Sequence, residues 1–222
     1  MPKVSQEYLE SRRNLITEAA YKVCLRKPVE MVTISDVIAE TGMSQGAIYR
    51  YYNGLDEILA DIVTRMRTDY NIIDRMEEII SNNSLSLEEL TFQVCDCLAE
   101  TMETHLMDIQ KINFDLGVLA INEPERAAKI MAGIKGRGNL EYLGRNAYPR
   151  LMEGALKLGY KPVGTPEEIG QFISSSYSGI EKYCIMSACY GTGNAKTKAD
   201  PKQLFRTLAK SIILLLGGNA NA

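Results

Sequence analysis

This 222-residue sequence has little of what enzymes and membrane proteins commonly use. It contains one histidine and five cysteines. Its longest strongly apolar stretch, from Ile212 to Leu216, is far shorter than the ~20 residues that cross a bilayer. A single imidazole argues against a structural zinc site. No Gly-x-Ser-x-Gly elbow, paired-carboxylate motif or metal-ligand cluster appears. We therefore expect that the protein is not an enzyme, that it has no cofactor or metal, and that no membrane is its partner.

Export signals and a basic coat are also missing. No apolar segment of a secretory signal follows Met1, and five cysteines are an odd number for a disulfide framework. We therefore expect a cytoplasmic protein with reduced, buried thiols. The formal net charge is −3, which excludes a general basic coat. Any contact with nucleic acid must come from a local surface.

Helical periodicity recurs along the chain, and no convincing alternating strand pattern appears, so the expected fold class is all-α. A dinucleotide-binding loop is not expected, because Gly136-x-Gly138 lacks the third glycine and the preceding strand. A broken helix or a close helix crossing is expected instead near Gly133, Gly136, Gly138 and Gly144. Linkers are predicted at 159–166 and 191–200. The predicted helices span residues 6–26, 34–41, 45–51, 56–80, 108–121, 123–134, 139–158, 166–190 and 201–216, with a further helix beginning after the capping residue Ser86.

Residues 33–52 have the pattern of a helix-turn-helix. Thr33 and Asp36 form a start that resembles a capping box, Gly42 suits the left-handed residue that ends a helix, and Ser44 caps the next helix. Two short helices joined by such a turn are typical of the motif. The core that they share with the first helix is expected to include Leu15, Ala19, Val23, Val37, Ile38 and Ile48.

The second short helix presents a face that suits the DNA major groove. With Ile48 buried, the 3.6-residue period turns Gly46 and Arg50 outward. Small residues permit close approach, arginine can reach guanine, and a tyrosine can reach phosphate. Free amides near the two helix starts suit phosphate oxygens. The candidate DNA-binding residues are Thr33, Ser44, Gln45, Gly46, Ala47, Tyr49, Arg50 and Tyr51. From spacing alone, a motif that merely packs within a helical protein is an equal alternative.

Residues 12–59, and above all the segment from Thr33 through Thr-Gly-Met-Ser-Gln-Gly-Ala-Ile-Tyr-Arg-Tyr-Tyr to Tyr52, closely resemble the TetR family of bacterial transcriptional regulators. The resemblance covers about a quarter of the chain. It implies an N-terminal three-helix DNA-binding domain, here residues 1–54, and a larger helical ligand-binding and dimerisation domain, here 55–222. It also implies a repressor that a small molecule releases from DNA.

One position departs from the family pattern. Leu55 stands where the family often has a lysine that contacts phosphate. Residues 1–55 hold seven basic and six acidic side chains, so this segment is only marginally positive. Electrostatic affinity is expected to be lower, or to be carried by Lys3, Arg12, Arg13, Lys22 and Lys27.

The last two predicted helices indicate a homodimer, because a helix that is apolar on most sides needs two sets of partners. The candidate interface comprises Ile173, Tyr177, Ile180, Leu204, Leu208, Ile212 and Leu215. A paired protein of this kind would bind a near-palindromic DNA operator.

No spacing rule selects the ligand pocket. Mixed apolar and polar positions would suit an unidentified lipophilic or aromatic effector. The effector is expected to move the predicted helix 56–80, which follows the recognition helix. Two other interpretations remain: an all-helical small-molecule-binding protein or enzyme with a vestigial helix-turn-helix, and a partner-binding or architectural protein. The candidate pocket residues are Met66, Tyr70, His105, Asn113, Tyr142, Asn146 and Tyr177.

Overall fold

Helices form every regular element in the part of the chain that the computed structural model describes, residues 5–190 and 198–219. The all-α prediction is therefore confirmed. None of the helices in these ranges is both long and apolar enough to cross a membrane. The α-helices are α1 (Gln6–Arg26), α2 (Ile34–Thr41), α3 (Gln45–Ile48), α4 (Leu55–Asp69), α5 (Ile73–Ser81), α6 (Leu87–Thr104), α7 (Lys111–Asn122), α8 (Pro124–Gly133), α9 (Asn139–Lys157), α10 (Pro166–Tyr190) and α11 (Pro201–Leu215).

The chain divides into two compact units. Unit 1 comprises Met1–Tyr70 and Lys111–Gly136, and unit 2 comprises Asn71–Gln110 and Arg137–Ala222. Helices α7 and α8 therefore belong to the same unit as α1 to α4. The predicted boundary between residues 54 and 55 does not coincide with the division into these units, and it stays a prediction.

In unit 1, the inner faces of α1, α2, α3 and α4 meet in one core. Ala19, Val23, Val37 and Ile48 are buried as predicted, whereas Leu15 is 43% exposed and was wrongly assigned to the core. Helix α8 packs on α4, and a Cβ on Gly133 would lie 2.9 Å from the Cβ of Ala60. The close helix crossing expected near these glycines is thus confirmed at Gly133.

The predicted single helix over 56–80 is wrong. Helix α4 ends at Asp69 and α5 begins at Ile73. The Asn71 side chain accepts a hydrogen bond from the amide of Ile73 at 2.7 Å. Asparagine bonded in this way offers the backbone an alternative to continuing the helix. The single helix that the effector was expected to move, from the end of α3 to residue 80, is therefore two helices, α4 and α5.

A short π-helix, which belongs to unit 2, immediately precedes α7. Residues Leu106–Gln110 form a π-helix, in which the amide of Gln110 donates to the carbonyl of His105 at 3.1 Å. The sequence pattern predicted an ordinary helix from residue 108. Short π segments are rare and occur frequently at functional sites.

The core of unit 2 lies where α6 packs along α11, beside α5, α9 and α10. Ser86 and Glu89 form the predicted capping box at the start of α6. Burial of the cysteines is confirmed at four positions, and burial raises the pKa of Cys24 to about 11. Cys189 is exposed, contrary to the prediction. The predicted linker 191–200 lies largely outside the described residues.

Candidate nucleic-acid interface and ligand cavity

Helix α2, the turn after it and the cap of α3 form as the sequence predicts. Thr33 Oγ1 accepts from the amide of Asp36 at 3.2 Å, and the Asp36 carboxylate accepts from the amide of Thr33 at 2.8 Å. Gly42 has a φ of 67°, the left-handed conformation that glycine adopts without a Cβ clash. Ser44 Oγ accepts from the amide of Ala47 at 3.3 Å. The turn therefore places α3 at a fixed angle to α2.

The outward face of α3 is free, as predicted. Gln45, Gly46 and Arg50 are exposed, and Tyr49 is 46% exposed. A Cβ built on Gly46 would meet nothing within 4 Å, so the backbone there is open to a close approach. Ile48 is fully buried on the opposite side.

The α-helical part of α3 is shorter than predicted. It ends at Ile48, and turns continue it, with the amides of Tyr51 and Tyr52 both donating to the carbonyl of Ile48. Ala47 and Tyr51 are half-buried. Arg50 therefore lies in a turn that follows the helix rather than in the helix proper.

A network beneath α3 holds its end in place. The Tyr52 hydroxyl donates to the carboxylate of Asp61 in α4. The guanidinium of Arg13 in α1 lies 4.1 Å from the centre of the Tyr52 ring, and Nη1 donates to the carbonyl of Tyr51 at 2.9 Å. Burial, with Asp61 next, raises the pKa of Tyr52 above its ordinary value, so the phenol stays a donor. Three helices thus fix the orientation of the exposed face.

Sequence reasoning missed this network. Arg13 and Asp61 belong to different helices, and no spacing rule connects residues that far apart along the chain. The basic side chain of Arg13, expected as a phosphate contact, is used internally instead: it also lies 3.6 Å from the Asp61 carboxylate.

Three other basic residues that were expected to contact phosphate also have internal partners. Lys27 Nζ lies 2.8 Å from the carboxylate of Asp36. That ammonium group, with Thr33 next, lowers the pKa of Asp36 to about 2. The amide of Thr33 donates to the same carboxylate, so this amide is not free for phosphate. Lys22 pairs with Glu18 at an exposed position, the Arg12 guanidinium stacks 5.1 Å from the ring centre of Tyr8, and Lys3 lies outside the described residues.

Unit 2 contains a cavity of about 350 Å³ between α6, α9, α10 and α11. Aliphatic side chains form most of its wall, with Tyr148, Ser174, Tyr177 and Ser178 as polar members. The described residues include no group of three or more histidines, cysteines or acids placed to hold a metal ion. The apolar lining includes Val94, Leu98, Leu143, Leu151, Leu208 and Ile212.

Among the seven candidate pocket residues, Tyr177 lines this cavity. Met66 and Tyr70 line a separate depression of about 90 Å³ in unit 1. Tyr142 is buried, and its carbonyl accepts from the side chain of Asn146.

The remaining two candidates lie apart from the cavity wall. His105 Nδ1 lies 3.2 Å from Asp108, and Asn113 is exposed on α7. The seven side chains therefore do not line one cavity. The sequence could not show this, because helical periodicity identifies the apolar face of a helix but not what that face contacts.

The predicted dimer residues lie mostly on the inner sides of α10 and α11. Leu208 and Ile212 are buried in unit 2, and Leu215 is partly buried. Ile173, Tyr177, Ile180 and Leu204 are partly buried and pack on the same core. Both helices do have a second apolar side, as predicted, but other residues form it: Phe172, Tyr183, Met186 and Leu214 are 40–54% exposed.

Comparisons with known proteins agree with this architecture. Residues 16–62 match the family model of bacterial regulatory proteins of the tetR family. The uncharacterized HTH-type transcriptional regulator YfiR of Bacillus subtilis is 33% identical over 113 residues, covering 48% of this chain and 55% of YfiR. The HTH-type transcriptional regulator PksA of the same organism is 27% identical over 95 residues, covering 43% of this chain and 45% of PksA. The matches thus span about half the length of these relatives.

Solved structures resemble the fold over most of the chain. A Mesorhizobium loti protein assigned to the TetR family has a TM-score of 0.60 at 12% identity, covering 93% of this chain and 96% of that one. SmeT, the repressor of a Stenotrophomonas maltophilia multidrug efflux pump, has a TM-score of 0.57 at 15% identity, covering 91% and 88%. Residues 16–62 are thus similar to the TetR family of bacterial regulatory proteins, and the fold of the chain is similar to solved structures of that kind.

Proposed function

We propose that this protein is a dimeric, cytoplasmic transcriptional regulator, and not an enzyme, that binds a palindromic DNA operator and is released by a small molecule. The observation that carries the proposal is the exposed outer face of α3, held from beneath by buried anchors. Gly46 and Arg50 face solvent, whereas Ile48 and Tyr52 are buried. The similarity to HTH-type transcriptional regulators supports the same function.

The proposed DNA contacts follow from the chemistry of that face. Arg50 would donate to guanine O6 and N7 in the major groove, and Gly46 would let the backbone approach the base edges. Tyr49, with Gln45 and Ser44, would contact the sugar-phosphate backbone or a neighbouring base. Thr33 is the weakest candidate, because both its amide and its hydroxyl already bond to Asp36.

Dimerisation would use the outer side of α10 and α11. Phe172, Gly179, Tyr183 and Met186 recur at helical spacing along one side of α10. A Cβ on Gly179 would meet nothing within 4 Å, which leaves room for a partner helix. Paired in this way, two copies of α3 would reach half-sites about 34–36 Å apart, or a multiple of that distance.

A second connection offers a route for ligand control. The chain passes from unit 2 to unit 1 between Gln110 and Lys111. Within unit 1, Lys111 Nζ donates to the carbonyl of Cys24 at 2.7 Å and pairs with Asp115 at 2.7 Å. Asp115 in turn accepts from the amide of Val29 at 3.2 Å. We infer that a ligand which changes the π segment would act through Lys111 on the end of α1. A coupling of about 1–3 kcal/mol would weaken DNA binding ~5- to 150-fold.

The decisive experiment measures binding to DNA upstream of the protein's own gene, by fluorescence anisotropy across a salt series, against a shuffled fragment. Arg50→Ala should weaken specific binding by about 1–3 kcal/mol and relax base preference at one position. Arg145→Ala is the matched control, since Arg145 is 75% exposed in unit 2 and its loss changes the charge equally.

The result can also reject the proposal. Equal affinity for both fragments in the parent protein would exclude a sequence-specific regulator of that site. If Arg50→Ala and Arg145→Ala lose equal DNA affinity, Arg50 contributes only to the overall charge and makes no base-specific contact.

A further inference from the structure

Gln110, the last residue of the π segment, is buried with an unused hydrogen-bonding group. The residue is 5% exposed, and its side-chain carbonyl Oε1 has no hydrogen-bond partner among the described residues. Buried polar atoms nearly always have a partner, and those that lack one call for an explanation. The π turn places Gln110 against α10.

Glu181 on α10 is a second polar group without a compensating partner. It is partly buried, and no ion pair to it occurs within residues 5–190 or 198–219. Burial raises its pKa to about 7. An uncompensated buried carboxylate is costly, and a cation placed beside it removes much of that cost.

Tyr177 joins these two groups to the cavity of unit 2. Its side chain lines the cavity and packs against the ring of Phe205, with ring centres 5.9 Å apart. Burial raises the pKa of Tyr177, the Glu181 carboxylate adds to the rise, and a hydrogen bond with the Gln110 side chain opposes it. The phenol therefore neighbours both Gln110 and Glu181.

Helical spacing places Glu181 one turn beyond the cavity wall. The α10 residues that line the cavity are Gly170, Ile173, Ser174, Tyr177 and Ser178. Residues three and four apart share a helix face, so Glu181 is the next position on this face. Glu181 and Gln110 are not themselves part of the cavity lining, but both neighbour Tyr177, which is, so two hydrogen-bond acceptors lie just beyond the wall.

We propose that this cavity binds an apolar amine, whose ammonium group donates to Glu181 and Gln110 beside Tyr177 while its hydrocarbon part fills the space between α6, α9, α10 and α11. The amine would be the effector of the proposed regulator, so in that respect the inference rests on the proposed function. A neutral apolar ligand would leave the acceptors unused, and an anion would be repelled by Glu181.

Several other charged groups on the elements packed against α10 have partners of their own. On the π segment, Asp108 is held by His105; on α11, Arg206 is held by Asp96, whereas Lys202 and Lys210 are exposed. On α9, Arg145 pairs with Glu141 and Lys157 with Glu153. Tyr177 is the titratable neighbour that acts with Glu181. His105 is the single histidine of the sequence, so a His105 variant serves as a control.

The test is calorimetric titration of the full-length protein, without DNA, at pH 8. Phenylbutylamine is compared with phenylbutanol, a neutral molecule of nearly the same shape, and with the anion phenylbutyrate. The amine should bind at least about tenfold more tightly than the alcohol, because charge-assisted hydrogen bonds are the stronger kind.

Variants then assign the effect to Glu181. Glu181→Gln should reduce amine affinity about tenfold or more and leave alcohol binding unchanged. Glu167→Gln removes the same charge at an exposed position of α10 and should change neither. From pH 6 to pH 8 the amine should bind more tightly to the parent protein, since Glu181 ionises while the amine stays protonated. This pH dependence should persist in His105→Asn and be absent in Glu181→Gln.

The proposal is overturned if the amine binds no more tightly than the alcohol, or if both glutamate variants bind it as the parent does. These results are independent of DNA. If the protein binds its operator but shows no preference for the amine, the proposed function stands and this inference is wrong. If it binds the amine but not the operator, amine binding by the cavity stands and the proposed function is wrong.

Discussion

Removing the hydroxyl of Tyr52, which lies beneath α3, tests what holds the end of that helix in place. In Tyr52→Phe the ring remains, 2% exposed and stacked under Arg13, but the donor to Asp61 is lost. The Asp61 side chain is 21% exposed, and Arg13 and Arg65 lie 3.6 and 3.7 Å from its carboxylate. It therefore keeps water and cationic partners after the change, and a full penalty for a buried unpaired charge is not expected.

The expected loss follows from these contacts. A hydrogen bond to a charged group contributes about 1.5–3 kcal/mol, and the partial exposure of Asp61 places the loss near the lower value, about 1.5 kcal/mol. For a protein of this size, each 1 kcal/mol lowers Tm by about 2–4 °C, so a decrease of roughly 3–6 °C is expected. Operator affinity should also fall, because the end of α3 loses one of its anchors.

The assay combines thermal unfolding followed by circular dichroism with anisotropy on the operator fragment. Tyr49→Phe is the matched control, since Tyr49 is 46% exposed on the outer face. It should leave Tm unchanged while weakening DNA binding. A Tyr52→Phe protein that melts within 1 °C of the parent would refute the claim that this hydrogen bond anchors α3.

Three further predictions concern the rest of the chain. Lys111→Met should lower the free energy of unfolding by about 2–3 kcal/mol, because it leaves Asp115 without its cation; partial exposure keeps the loss below that of a fully buried pair. Chemical denaturation measures it. The pKa of Glu181 is raised from 4.5 to about 7, so folding binds its proton and the unfolding free energy should fall as pH rises through that window, by at most about 3 kcal/mol. This slope should be absent in Glu181→Gln. Tyr183→Glu should convert a dimer into monomers in sedimentation velocity.

Each of these has a distinguishing control. Combining Lys111→Met with Asp115→Leu should recover much of the lost stability, since both charges are then removed. A pH slope that persists in Glu181→Gln would assign the titration to another group. Leu156→Glu introduces the same charge at a 61% exposed position of α9 and should leave the dimer intact. Dissociation in both variants would argue against the α10–α11 surface.

Local signals in the sequence were sufficient for most helix positions. The capping boxes at Thr33 and Ser86, the left-handed Gly42 and the start of α10 at Pro166 all depend on neighbouring residues, and all are confirmed. The break at Asn71 was missed, because the apolar pattern of 56–80 continues across it while one side-chain hydrogen bond ends the helix.

What the sequence determined by itself is therefore the all-helical class, the helix-turn-helix and the outward face of α3, since periodicity and capping act within a few residues. Tertiary structure alone decided which side of α10 and α11 lies inward, that Arg13 holds Tyr52, and that Gln110 neighbours Tyr177. These arrangements join residues tens of positions apart. Their energies come from burial and charge in three dimensions, which helical periodicity does not encode.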